Sequence, residues 1–198
     1  MLRLTTGFCR GMDLAVPTGD AVRPTSAKVR QAMWNSLQQA ADDALVLDLC
    51  AGSGAVGIEG LARGARGAVF VEVSGKVFPL LETNLKEVMR RANREGLNLS
   101  PVIALRGDLE KVWERIRGMG PFDIVWSDPP YADAADRLQW IWQHLDDVTH
   151  AGSWFIFEAG PQVTASDFSA KPGWQLAREK EYGDTKLWFW HRAEEATA

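Results

Sequence analysis

The sequence predicts a doubly wound α/β fold: a mainly parallel sheet with helices on both faces, made mixed by a C-terminal hairpin and preceded by an N-terminal hairpin or arm. Three observations predict it. From Ala44 onward, short continuous apolar runs alternate with helix-length segments, the pattern of buried parallel strands joined by crossover helices. Four of those runs close on an acid, Asp48, Glu72, Asp108 and Asp128, at or just beyond the strand's C-terminal end. The last part of the chain breaks the alternation: Trp174 to Tyr182 and Lys186 to His191 flank Gly183-Asp184, as two antiparallel strands flank a turn.

Each element follows in order. Residues 1–20 are short apolar runs broken by Gly7, Gly11, Pro17 and Gly19, which read as a small hairpin or extended arm. Pro24-Thr25-Ser26 is a helix entry with Thr25 or Ser26 as N-cap, and Val29, Met33, Trp34 and Leu37 follow at helical spacing to about Ala40. Ala44 to Leu49 is the first strand of the sheet, and Gly54 to Arg63 its helix. Ala68 to Val73 is the second strand, with a long helix from about Lys76 to Arg94. Pro101 to Leu105 is the third strand, Phe122 to Ser127 the fourth, and Gly152 to Glu158 the fifth. A helix opening at Asp133 or Ala134 links the last two. The domain division expected is an arm over residues 1–24, one catalytic-size domain over 25–192, and a frayed tail over 193–198. The nine tryptophans read as core and hairpin packing rather than a stacking platform.

The bulk numbers narrow the class. At 198 residues, 46% hydrophobic and 24% charged, the chain suits one soluble domain with a large core. Cys9 and Cys50 form no CxxC pair, which argues against a disulfide framework or a zinc site; no metal is expected. No run reaches the length of a membrane span and no signal-peptide pattern opens the chain, so a cytoplasmic, membrane-free protein is expected, most simply a monomer. The net charge of −4 does not advertise nucleic acid, but residues 1–34 carry +3 and the remainder −7. A local basic face on an acidic body binds phosphates, because screening confines the field to about 8–10 Å. Ordinary solvated charge explains the same counts.

Two motifs carry chemistry. Gly52-Ser53-Gly54-Ala55-Val56-Gly57 follows a strand and opens a helix, with Glu72 at the end of the next strand. This satisfies the dinucleotide fingerprint, so a nicotinamide cofactor is a rival. Two features favour S-adenosylmethionine. Asp48 precedes Gly52 by four residues; its charge repels a pyrophosphate and attracts an ammonium or sulfonium. Asp108 is placed to accept from an adenine amino group. The second motif is Asp128-Pro129-Pro130-Tyr131 after the fourth strand. Both prolines fix φ near about −65° and donate nothing, so the loop is stiff. It presents a carboxylate and a flat ring, which suits a planar heterocycle bearing an amino group. The competing reading is a proline-terminated strand with a solvated Asp and a packed Tyr.

Asp48-Leu49-Cys50-Ala51-Gly52-Ser53-Gly54, Asp128-Pro129-Pro130-Tyr131, Arg23-Pro24-Thr25 ahead of Val29-Arg30, and Tyr182-Gly183-Asp184-Thr185 together resemble the RsmD family. These are bacterial 16S ribosomal RNA guanine-N2 methyltransferases of the class I, S-adenosylmethionine-dependent type, and the resemblance runs from about Leu2 to His191. It implies a seven-stranded, Rossmann-like methyltransferase sheet with an N-terminal hairpin that helps grip RNA. It implies donor contacts along Asp48, Cys50, Ala51, Gly52, Ser53 and Gly54, ribose at Glu72 and Val73, and adenine near Asp108 and Leu109. The target guanine belongs at Asp128, Pro129, Pro130 and Tyr131. Arg10, Arg23, Thr25, Lys28 and Arg30 are the candidate RNA contacts; Lys28 and Arg30 have a competing role as caps or ion pairs within the first helix. Met12-Asp13, Ala27 and Gln31 depart from the family pattern on the RNA-facing segment, and Cys50 stands where Phe is frequent. The partner implied is 16S rRNA or the assembling small subunit.

Rivals remain at this point. DNA adenine-N6 and protein-glutamine methyltransferases use similar loops but usually carry an extra recognition domain. An NAD-dependent oxidoreductase shares the glycine loop, and a non-catalytic RNA-binding protein shares the fold.

Overall fold

The computed structural model describes residues 2–17 and 26–193, and the backbone but not the side chain of Tyr131. Seven strands form one sheet: β3 (Leu45–Asp48), β4 (Gly67–Glu72), β5 (Val102–Arg106), β6 (Phe122–Ser127), β7 (Thr149–Ala159), β8 (Trp174–Tyr182) and β9 (Thr185–Arg192). Their order is β5-β4-β3-β6-β7-β9-β8. The first five run parallel. β9 lies between β7 and β8 and pairs antiparallel with both. This is the mixed seven-stranded, Rossmann-like sheet the sequence predicts.

Period-two alternation divides the sheet's side chains between two cores. Val46, Phe70 and Trp126 face α1 (Ala27–Leu37), α2 (Ala55–Ala62) and α3 (Phe78–Arg94). Leu47, Val71 and Val125 face α4 (Leu109–Arg117) and α5 (Ala134–His144). Helices cover both faces, so the strands are apolar on both sides. α2 sits so close to the sheet that a Cβ on Gly57 would lie 2.4 Å from the Phe70 ring. That contact explains the last glycine of the loop motif as a packing residue.

The arm is a two-stranded ladder, β1 (Leu2–Arg3) with β2 (Asp13–Leu14). It is no separate body: Leu4, Cys9 and Met12 are buried in the same core as α1 and α2. Of the two N-cap candidates, Ser26 fills the role, its hydroxyl accepting from Val29 N–H at 3.2 Å. Thr25 lies outside the described residues, as do Arg23 and Pro24.

The main departures from expectation are one helix end and one whole helix. α1 stops at Leu37, where a 3₁₀ turn over Gln38–Ala41 takes over. No helix is predicted from the sequence between Asp108 and Phe122, yet α4 fills most of that stretch. Its signals are present: Asp108 caps it, and Leu109, Val112, Trp113 and Ile116 bury one face at i, i+3, i+4 and i+7. Ala193 donates to Gly173 O at 2.7 Å, and residues 194–198 of the predicted tail lie outside the described residues. The tryptophans pack as expected; Trp142 meets Trp190 at 4.8 Å between ring centroids and Trp174 at 5.8 Å.

Candidate active site

β3 lies between β4 and β6, and the chain continues to one side of it and then to the other. Such a switch point opens a crevice at the strands' carboxyl ends. Here it is a cavity of about 590 Å³. Asp48 pairs in register with Trp126, so β3 and β6 deliver Asp48 and Asp128 to the same rim. Of the residues expected from the sequence, Asp48, Cys50, Ala51, Gly52 and Ser53 line the cavity. So do Glu72 and Val73 after β4, Asp108 and Leu109 after β5, and Asp128, Pro129 and Pro130 after β6. Gly54 does not. Its φ of +82° caps α2 in the left-handed region, and a Cβ there would strike Leu81 at 2.6 Å, so it turns the chain behind the wall.

Burial sets the electrostatics. Asp48 is 1% exposed. Its Oδ2 accepts from Gly57 N–H at 3.0 Å, and among the described residues its Oδ1 makes no hydrogen bond. Desolvation pushes its pKa up to about 7; the Gly57 hydrogen bond works against this, and the neighbouring charges of Asp128 and Glu72 add to it. A buried carboxyl with one unpaired oxygen suits an organic cation. It also occupies one of the helix-start amides that a pyrophosphate would use, which weighs against a dinucleotide.

Glu72 ties the rim together. Its Oε2 accepts from Gly52 N–H at 2.9 Å and its Oε1 from Ser74 N–H at 2.6 Å. A carboxylate has about four acceptor positions, so two remain for hydroxyls. Burial and the nearby Asp128 push the Cys50 thiol up to about 12, so it is a neutral wall residue rather than a nucleophile.

Several cavity residues were not foreseen. Arg137 of α5 grips Asp108 with two hydrogen bonds, 3.2 Å to Oδ1 and 2.6 Å to Oδ2. Asp108 also caps α4 through Glu110 N–H, and the Arg137 contact holds its pKa below the usual carboxylate range. One corner therefore joins the end of β5 to the helix that follows the Pro129-Pro130 loop. Glu158 at the end of β7 and Tyr182 and Thr185 of the terminal hairpin close another wall. Lys180 of that hairpin donates to Ser36 Oγ at 2.6 Å, fastening it to α1. Glu158 had a legible signal, since it is a fifth acid at a strand's carboxyl end. Arg137 had none, because its partner is 29 residues away.

The RNA candidates divide. Arg10 and Lys28 are exposed. Arg30 is corrected: it is 1% exposed and its guanidinium lies 3.6 Å from Glu59, itself fully buried in α2. A phosphate has no access to it, and the pair joins two helices rather than forming within α1. Arg23 and Thr25, and the side chain of Tyr131, lie outside the described residues.

Comparison with known proteins bears on the family and the fold. Residues 2–191 match the family described as "Conserved hypothetical protein 95". The chain is 29% identical to the Escherichia coli K12 "Ribosomal RNA small subunit methyltransferase D" over 96% of its own length and 90% of that protein. It is 30% identical to the protein of the same name from Haemophilus influenzae Rd, over 66% of this chain and 64% of that one. A solved structure, the "Putative methyltransferase yhhF from Escherichia coli", superposes with a TM-score of 0.74 at 28% identity, covering 98% of this chain and 99% of the other.

Proposed function

The chain belongs to the conserved hypothetical protein 95 family, that of the ribosomal RNA small subunit methyltransferase D proteins, and from that premise we propose that it transfers a methyl group from S-adenosylmethionine to the exocyclic N2 of a guanine in 16S rRNA. The observation that carries the reading is the delivery of Asp48 and Asp128, from adjacent strands, into one cavity of about 590 Å³. That volume lies within the range of small-molecule sites. One acid suits the donor's cationic end, and the other sits on a rigid corner suited to a base.

The residues fit the donor. Asp48 would balance its ammonium and sulfonium charge, Glu72 would accept from ribose hydroxyls, and Asp108 and Leu109 would flank the adenine. Bound S-adenosylmethionine supplies a methyl group already activated by the sulfonium.

The rest is positioning by the chain. A guanine N2 is a weak nucleophile because its lone pair is delocalised into the ring. Asp128 and the Pro129 carbonyl accept hydrogen bonds from the amine, turning the lone pair toward the methyl group. Asp128 then receives the proton that the nitrogen sheds. Pro129 and Pro130 hold this geometry without backbone freedom, and such orientation is worth several kcal/mol, of order 7–11 at its limit. Tyr131 is the proposed stacking partner, a contact worth about 1–3 kcal/mol. The amine is inaccessible in a stacked helix, so the base enters flipped or unpaired. Arg10, Arg23, Thr25 and Lys28 are the proposed backbone contacts, and the cytoplasm is the proposed compartment.

The test uses small ribosomal subunits and naked 16S rRNA from cells lacking this protein, incubated with the protein and methyl-labelled S-adenosylmethionine and digested to nucleosides. The label is expected in N2-methylguanosine. Label in N6-methyladenosine, or in no RNA nucleoside, overturns the reading.

A further inference from the structure

β7 ends in a carboxylate to which the mechanism above gives no role. Parallel pairing sets Trp126 against Ile156 and Ser127 against Phe157, so Asp128 and Glu158 emerge side by side from neighbouring strands. Glu158 shares a sheet face with Ile156 by alternation, and both acids line the same cavity. Glu158 is 5% exposed. A carboxyl so deep in a strand costs stability that an apolar residue would not. The Tyr182-Gly183-Asp184-Thr185 turn, through Tyr182 and Thr185, closes the wall beside it.

The base chemistry gives this second acid a task. One acceptor holds an exocyclic amine without identifying the base that bears it. Adenine and cytosine present their amine beside a bare ring nitrogen, whose lone pair repels a carboxylate. Guanine presents its N2 amine beside N1–H, two donors in a row. Two neighbouring carboxylates therefore match guanine and reject the others. We propose that Glu158 is a specificity-determining residue that accepts the N1–H of the target guanine while Asp128 holds the N2 amine. The inference rests on the guanine reading above and adds how the base is recognised.

The experiment compares the wild type with Glu158→Met, which keeps the length of the side chain but accepts nothing from N1–H. The substrates are 16S rRNA with guanine at the methylated position and the same RNA ligated with 2-aminopurine there. The analogue keeps the N2 amine and lacks N1–H. The wild type is expected to prefer guanine by at least tenfold in kcat/KM, since a site built around an N–H rejects an analogue without it. Glu158→Met is expected to lower kcat/KM on guanine about ten- to hundredfold and to erode the preference by at least tenfold. Its S-adenosylmethionine Kd is expected to stay within about twofold, which separates base recognition from a general loss of structure. Unchanged discrimination in the variant overturns the proposal. Equal use of both RNAs by the wild type overturns it too, without reference to any variant. Failure of the wild type to form N2-methylguanosine at all defeats the guanine reading and this inference with it.

Discussion

Asp48 brings charge and burial into conflict, and the conflict has a sign. Its pKa is raised to about 7, mainly by desolvation, so below that pH the carboxyl is mainly protonated. Against an unfolded value near 3.8, the folded state binds the extra proton between about pH 4 and 7. Stability from this group is thus present at low pH and falls as pH rises through that window. Donor binding at Asp48, as proposed, runs the other way, because a cation favours the ionised carboxylate. The S-adenosylmethionine Kd is expected to weaken by up to about tenfold per unit as pH falls below 7, and to weaken again above about pH 8 as the donor's own amino group loses its charge. Titration calorimetry across pH 5.5–8.5 checks this, and Asp48→Asn should weaken binding and remove the low-pH dependence. The acids were legible in the sequence because each ends an apolar run. Their protonation states were not, since these depend on burial and on one another. Tyr131 shows the same boundary: sequence names the ring but does not aim it.

At the level of elements, the corner between β5, α4 and α5 is held by the two-pronged Arg137–Asp108 contact, with both side chains about 30% exposed. Arg137→Met is expected to cost about 1 kcal/mol in urea unfolding and to weaken donor binding several-fold, because Asp108 lines the cavity proposed for the donor. Arg137→Lys restores the charge without the fork and is expected to recover only part of the affinity. Unchanged affinity in Arg137→Met would separate this corner from donor binding. The strands, the glycine loop and the hairpin were legible from period and punctuation. α4 is the exception: its capping Asp108 and buried stripe are present in the sequence, but an acid that closes a strand and an acid that caps a short helix look alike there. The Arg137 contact is illegible in principle from one sequence, since helix pattern does not say which residues meet across a corner.

Across the whole molecule, an acidic protein must hold RNA by a local surface. Arg10→Ala with Lys28→Ala is expected to weaken binding to 16S rRNA and to reduce the slope of log K against log salt by about 0.7–0.9 per lost phosphate contact. Arg30→Met is expected to leave that slope unchanged and instead to destabilise the fold by up to about 3–5 kcal/mol, because it removes the guanidinium beside the buried Glu59 and leaves Arg63 to face that carboxyl. Salt-titrated binding and chemical unfolding distinguish the two effects. Charge counting grouped these residues because they are close in sequence; only the position of Glu59 on another helix separates them.

The central claim is that one crevice holds the methyl donor against Asp48 while Asp128 holds the base amine. Asp128→Ala tests it most directly, with S-adenosylmethionine affinity and single-turnover methylation of 16S rRNA measured on the same preparation. Donor affinity within about threefold of wild type, with methyl transfer reduced by at least a hundredfold, is the expected result. Wild-type turnover in the variant would contradict the account.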